Sequence, residues 1–130
     1  MPIDSRIDKD RQLVVATASG RVTFAEATDY QDRLLNDPDF NPEFRQLLDG
    51  RAVTHLDITV DQAKIVAKRR LFSDSSRRAW VAHERAVFGM GRLIATYNEN
   101  SPAKSQIKVF YDLPSALHWL GLDGLATIPA

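Results

Sequence analysis

The chain has 130 residues, enough for one domain with a real core and too few for two of ordinary size. Hydrophobic residues make up 44% and charged residues 26%, the balance of an ordinary soluble globular protein, and no apolar run is long enough to span a membrane. Cysteine is absent, which excludes disulfides, thiol nucleophiles and thiolate metal sites; the N-terminus MPIDSRIDKD carries charges where a signal peptide needs an apolar core, and a cytoplasmic location is expected.

The elements read in order along the chain. Ile3 to Ile7 alternates apolar and polar residues, as an edge strand with one wet face does. Asp8-Lys9-Asp10-Arg11 is a polar turn, so this strand and the next form a hairpin. Leu13 to Ala18 is a short apolar run, the pattern of a strand covered on both faces, and Gly20 breaks it. Thr23 and Glu26 have capping-box spacing; Phe24, Ala27, Leu34 and Leu35 follow at helical intervals, and Asn36-Asp37-Pro38 stops the helix. Phe44 to Leu48 is a third strand ending at Asp49-Gly50, with a loop over residues 51–57. Thr59 and Gln62 repeat the capping-box spacing ahead of the stripe Val60, Ala63, Ala67 and Leu71. After the loop Ser73-Asp74-Ser75-Ser76, Ala79 to Ala82 is a fourth strand. Val87, Met90, Ile94 and Tyr97 mark a third helix, and Gly89 and Gly91 within it suit close approach to a neighbour. Ile107 to Tyr111 is a fifth strand. Asp112 caps a last helix with Pro114 in its first turn, an inward stripe of Leu113, Ala116, Leu117 and Leu120, and Gly121 at its end.

The order ββαβαβαβα predicts a single α/β domain over residues 1–122, with a five-stranded mixed, mostly parallel sheet and four helices. Residues 123–130 lack periodicity and read as a loosely ordered tail.

Charge is balanced overall, with 17 basic and 17 acidic side chains, but not along the chain. Residues 1–50 carry six basic and ten acidic groups, and residues 51–130 carry eleven and seven. The basic excess peaks at Lys68-Arg69-Arg70 and Arg77-Arg78. It lacks the aromatic interleaving of a single-strand binding platform, and it reads as a solvated face, so no nucleic-acid partner is expected.

No catalytic constellation stands out. His55, His83 and His118 are scattered, and none has a second histidine three or four residues away, so no metal site is expected. No phosphate-binding glycine loop and no nucleophile elbow is present, so no cofactor is expected and the chain reads as a non-enzyme.

Several segments, in this order, resemble the SpoIIAA-like proteins of the STAS domain family, in the STAS/SEC14 branch related to the CRAL-TRIO lipid carriers. They are SGRVTFAEATDYQDRLLNDPDF with FRQLLDGRAV, then RRLFSDSSRRAWVA, VFGMGR and VFYDLPSALHWLG. The resemblance implies the SpoIIAA-like fold and a regulatory module that binds another protein, or alternatively one that binds or carries a small apolar or lipid-like ligand, with a homodimer among the assemblies it allows. Antagonists of this type carry a phosphorylated serine after the third strand. The matching Leu48-Asp49-Gly50-Arg51 has the aspartate and no hydroxyl, so no phosphorylation site is expected there.

In open α/β sheets, crevices form at the carboxyl ends of the strands. That rule selects Asp49, Gly50, Arg51, His83, Phe88 and Arg92 as candidate binding residues, with the amides that open the third helix as an anion site. Arg92 is expected to be structural or ligand-facing. Phe72, Trp80, Phe88, Tyr97, Phe110 and Trp119 supply either a pocket or the core.

Overall fold

Alternating polarity produces β1 (Ile3–Asp8), and a turn in which Gln12 takes φ 53° leads into β2 (Leu13–Thr23). A computed structural model of the chain describes residues 3–123, so the expected tail, apart from Asp123, lies outside the described residues. β2 does not stop at Gly20. That glycine takes φ 65°, a conformation that carries no Cβ penalty for this residue, and the strand runs on to Thr23.

Thr23 then opens α1 (Phe24–Leu35) with both halves of the capping box: its Oγ1 accepts from the Glu26 amide at 3.2 Å, and Glu26 Oε1 accepts from the Thr23 amide at 2.9 Å. Tyr30, Gln31 and Leu34 take the inward positions; Leu35, expected there, is one step round the helix and exposed.

The third strand is far longer than its apolar run. β3 (Arg45–Asp57) includes the whole segment expected to be a loop. The reason lies in its pairing. β2 advances from Thr17 to Ser19 while β3 advances from Asp49 to Ala52, and β2 advances from Gly20 to Arg21 while β3 advances from Val53 to His55. Each step inserts one extra residue into β3, a bulge that disrupts period-two alternation while keeping the ladder.

Thr59 caps α2 (Val60–Lys68) through a second complete capping box; Ala63 and Ala67 face inward, Val60 is exposed, and Leu71 is buried beyond the helix end. β4 (Arg77–Ala82) starts two residues before the apolar segment that marks it. α3 (Arg85–Glu99), β5 (Gln106–Phe110) and α4 (Leu113–Trp119) follow, and Gly121 at φ 76° closes α4 with Leu122 N–H donating to the Leu117 carbonyl.

The sheet order is β1-β2-β3-β4-β5, antiparallel between β1 and β2 and parallel elsewhere, with Leu13 opposite Arg45. This is the expected five-stranded mixed sheet with four helices. Each parallel crossover steps to the next strand, and α1, α2 and α3 gather on one face. α4 covers the other, where Leu13, Val15, Leu47, Ala79 and Val81 meet Leu113, Ala116 and Leu117. α2 packs mainly on α3, with α1 on its other side. Past the Gly50–Ala82 pair β4 ends, and β3 runs on with β2 as its sole strand partner.

Candidate functional site

Asp49, Arg51 and His83 do come together, on the α4 side of the sheet where α4 no longer covers it, in a shallow crevice that also holds Asp4, Thr17 and Ser19. Strand alternation sends Leu48 and Gly50 to the opposite face. Gly50 is required by space: a Cβ there would lie 2.9 Å from the Val81 carbonyl oxygen. Asp49 is occupied by its neighbour. Arg51 Nε donates to Asp49 Oδ1 and Nη2 to Oδ2, both at 2.9 Å, and the Arg51 amide donates to Oδ1 at 3.1 Å. Burial raises the affinity of this carboxyl for its proton, but the Arg51 bonds outweigh it and hold the group below the usual carboxylate range, with a smaller pull from His83.

The other candidates lie apart from this cluster. The start of α3 is filled from within, because Glu84 accepts from the Ala86 amide; that carboxylate takes the place predicted for a bound anion. Phe88 stacks flat on Tyr111, ring centroids 3.8 Å apart. Arg92 is exposed in an open groove between α3 and the free edge of β5, with no hydrogen bond from its guanidinium among the described residues; it is neither buried nor tied to the Gly89–Gly91 segment. Of those two glycines only Gly91 makes a close approach, with a Cβ position 3.4 Å from Val109, whereas Gly89 faces open space. Three arginines of the basic run are spent on the fold: Arg69 pairs with Asp32, Arg70 donates to the Pro102 carbonyl, and Arg77 donates to the Trp119 carbonyl.

A second site, hidden from the residue-by-residue reading, lies between the sheet and the helices. It is a cavity of about 120 Å³ whose walls are almost wholly apolar. Leu48, Trp80 and Ala82 form its floor, with Ala27, Val66 and Val87 among its helical walls. Small residues line much of it, among them Ala18, Ala27, Gly50, Ala82 and Gly91. Of the six aromatics proposed for a pocket, Trp80 alone lines this cavity; Phe72 is buried in the core, and Phe88 and Trp119 border the β5 groove.

One end of the cavity is polar. Gln46, fully buried on β3, donates through Nε2 to the Tyr30 hydroxyl at 2.8 Å and accepts at Oε1 from Trp80 Nε1 at 2.8 Å and Arg78 Nε at 2.9 Å. Arg78 also donates to Ser105 Oγ at 3.1 Å and lies 4.4 Å over the Phe72 ring. Gln31, also at the cavity wall, donates to the Val66 carbonyl while its Oε1 is buried with no donor among the described residues. The signal for Arg78 was present in the sequence: it is two residues before Trp80, so strand alternation puts both on one face.

No family model matches the sequence, and no curated protein matches it. A solved structure does. It is an uncharacterized protein from the DUF3478 family with a SpoIIAA-like fold, from Shewanella loihica PV-4, similar over 91% of this chain and 93% of that one, with a TM-score of 0.56 and 22% identity. The fold is SpoIIAA-like. Within this SpoIIAA-like frame the junction between the third strand and the following helix falls at Ile58, well past Gly50. The hydroxyl at that junction is Thr59, whose Oγ1 accepts from the Gln62 amide at 3.1 Å. Among the described residues no helix is long and apolar enough to cross a membrane, and no group of three His, Asp or Glu side chains is placed to hold a metal.

Proposed function

We propose that this SpoIIAA-like domain is a non-catalytic binding module whose ligand is a small apolar molecule held in the cavity beneath α1, α2 and α3. The cavity itself carries the reading. Protein interiors rarely keep voids much larger than a water molecule. Leaving about 120 Å³ unfilled forgoes packing contacts that larger side chains would supply. A single larger residue at Ala27 or Ala82 would recover much of that. The volume approaches that of apolar cavities of about 150 Å³ that take up benzene.

Thermal unfolding and methyl NMR with benzene and 1-hexanol test this. Saturable stabilisation is expected, with shifts at the methyl groups of Ala27, Val53 and Val87. Ala27→Leu, which fills the space, is expected to abolish both effects and to raise the melting temperature of the free protein. No saturable binding of either probe, or binding unchanged in Ala27→Leu, overturns the reading.

A second reading, a protein-interaction surface at the strand ends, is supported by Asp49, Arg51 and His83 lying together beside the part of β3 that β4 leaves unpaired. Replacing all three with alanine and comparing the proteins co-purified from the source organism tests it; an unchanged set counts against this surface.

A further inference from the structure

Arg78 is 7% exposed, and every partner it has is neutral. Nε donates to Gln46, Nη1 to Ser105, and the flat face lies over Phe72 and Trp80; no carboxylate pairs with it and Nη2 has no partner among the described residues. Burial lowers its pKa to about 10, so it is still a cation at neutral pH. A buried cation without an anion is costly, and native structures normally pair such charges.

Nor does the surrounding network depend on it. Without Arg78, Gln46 Oε1 keeps the Trp80 donor, Gln46 Nε2 keeps Tyr30, and the Ser105 hydroxyl keeps Asn98. Arg78's hydrogen-bond partners therefore stay satisfied without it, and its charge is placed at the wall of an apolar cavity.

We propose that the ligand of this cavity is a short monocarboxylic acid whose ionised carboxylate pairs with Arg78 and whose carbon chain lies between Trp80, Val66 and Val87. The proposal rests on reading the cavity as a ligand site and adds the chemical class. A carboxylate matches the guanidinium fork and balances its single charge, whereas a doubly ionised phosphate would leave a net negative charge buried. Gln31 Oε1 is an acceptor and takes no part in holding the anion. The volume suits a chain of about six carbons, by comparison with cavities that admit benzene.

Titration calorimetry at pH 7 with hexanoate, 1-hexanol and hexylamine tests the assignment. Hexanoate is expected to bind at least tenfold more tightly than 1-hexanol, and hexylamine not at all. Arg78→Met keeps the length and apolar packing of the side chain, and is expected to remove the hexanoate advantage while 1-hexanol still binds. If 1-hexanol binds and hexanoate binds no better, the Arg78 anchor is wrong and the apolar cavity reading stands. If neither binds, the cavity reading fails and this proposal with it. If hexanoate binds equally well to wild type, Arg78→Met and Ala27→Leu, its site is elsewhere and the proposal is overturned. Should Arg78→Met fail to fold, the wild-type preference and its loss in Ala27→Leu decide the matter.

Discussion

Asp49 and Arg51 show how a residue chosen for binding is absorbed by local structure. The carboxylate is mostly buried, takes three hydrogen bonds from Arg51, and so contributes to stability only while ionised. Arg51 is itself 38% exposed, which limits the pair to about 0.5–1 kcal/mol. Because the folded-state pKa lies below 3.8, that contribution is complete above this value and lost as pH falls through the folded pKa. Asp49→Asn is therefore expected to lower the urea midpoint at pH 7 and to match wild type near the acid limit of folding. Gly50→Ala meets the Val81 carbonyl and is expected to cost about 1–3 kcal/mol in the same measurement. Asp49 was legible as a polar residue at a strand crevice; that Arg51, two residues on, closes on it follows from the bulged strand geometry. Arg78 was not singled out, because Arg77-Arg78 reads as surface charge until the strand is known to begin at Arg77.

At the scale of elements, the capping boxes were the firmest sequence signals. Thr23 with Glu26 and Thr59 with Gln62 both form in full, because each pairs a side chain with an amide that helix geometry leaves unsatisfied. Thr59→Ala is expected to destabilise the protein by about 1 kcal/mol. Its circular dichroism at low temperature is expected to stay native, since α2 also packs through Ala63 and Ala67 on α3. The failure was the length of β3. Two bulges put its apolar residues out of phase, and its far half has one open edge, so Arg51, Thr54 and His55 gave the composition of a loop. A pairing partner, which no local pattern shows, is what makes that segment a strand.

Across the whole molecule, the alternation of strands and helices sufficed for architecture because parallel neighbours require crossovers and crossovers have one hand. The cavity was not legible, since it depends on which small residues from five elements meet in space. It also sets where the molecule is softest. α2 has nine residues against fifteen in α3, exposes Val60 and Ile65, and shares with α1 and α3 the cavity they cover. Hydrogen exchange is expected to show the α2 amides opening well before those of α3, and to slow on addition of 1-hexanol. Equal protection of α2 and α3 would contradict this.

The stretch of β3 beyond β4 has a further consequence, for behaviour in concentrated solution. An unpaired strand edge offers a row of amides and carbonyls to which a second chain adds readily, and such edges seed aggregation when flat and apolar. Here the bulge at Thr54 breaks the flat register, and Arg51, His55 and Asp57 hold polar groups along the border, with Asp57 tied to Arg21 on β2. These side chains act as gatekeepers. Replacing His55 with valine is expected to leave the melting temperature nearly unchanged, while light scattering at high protein concentration rises sharply, because what that residue guards is the chain's separation from its own copies.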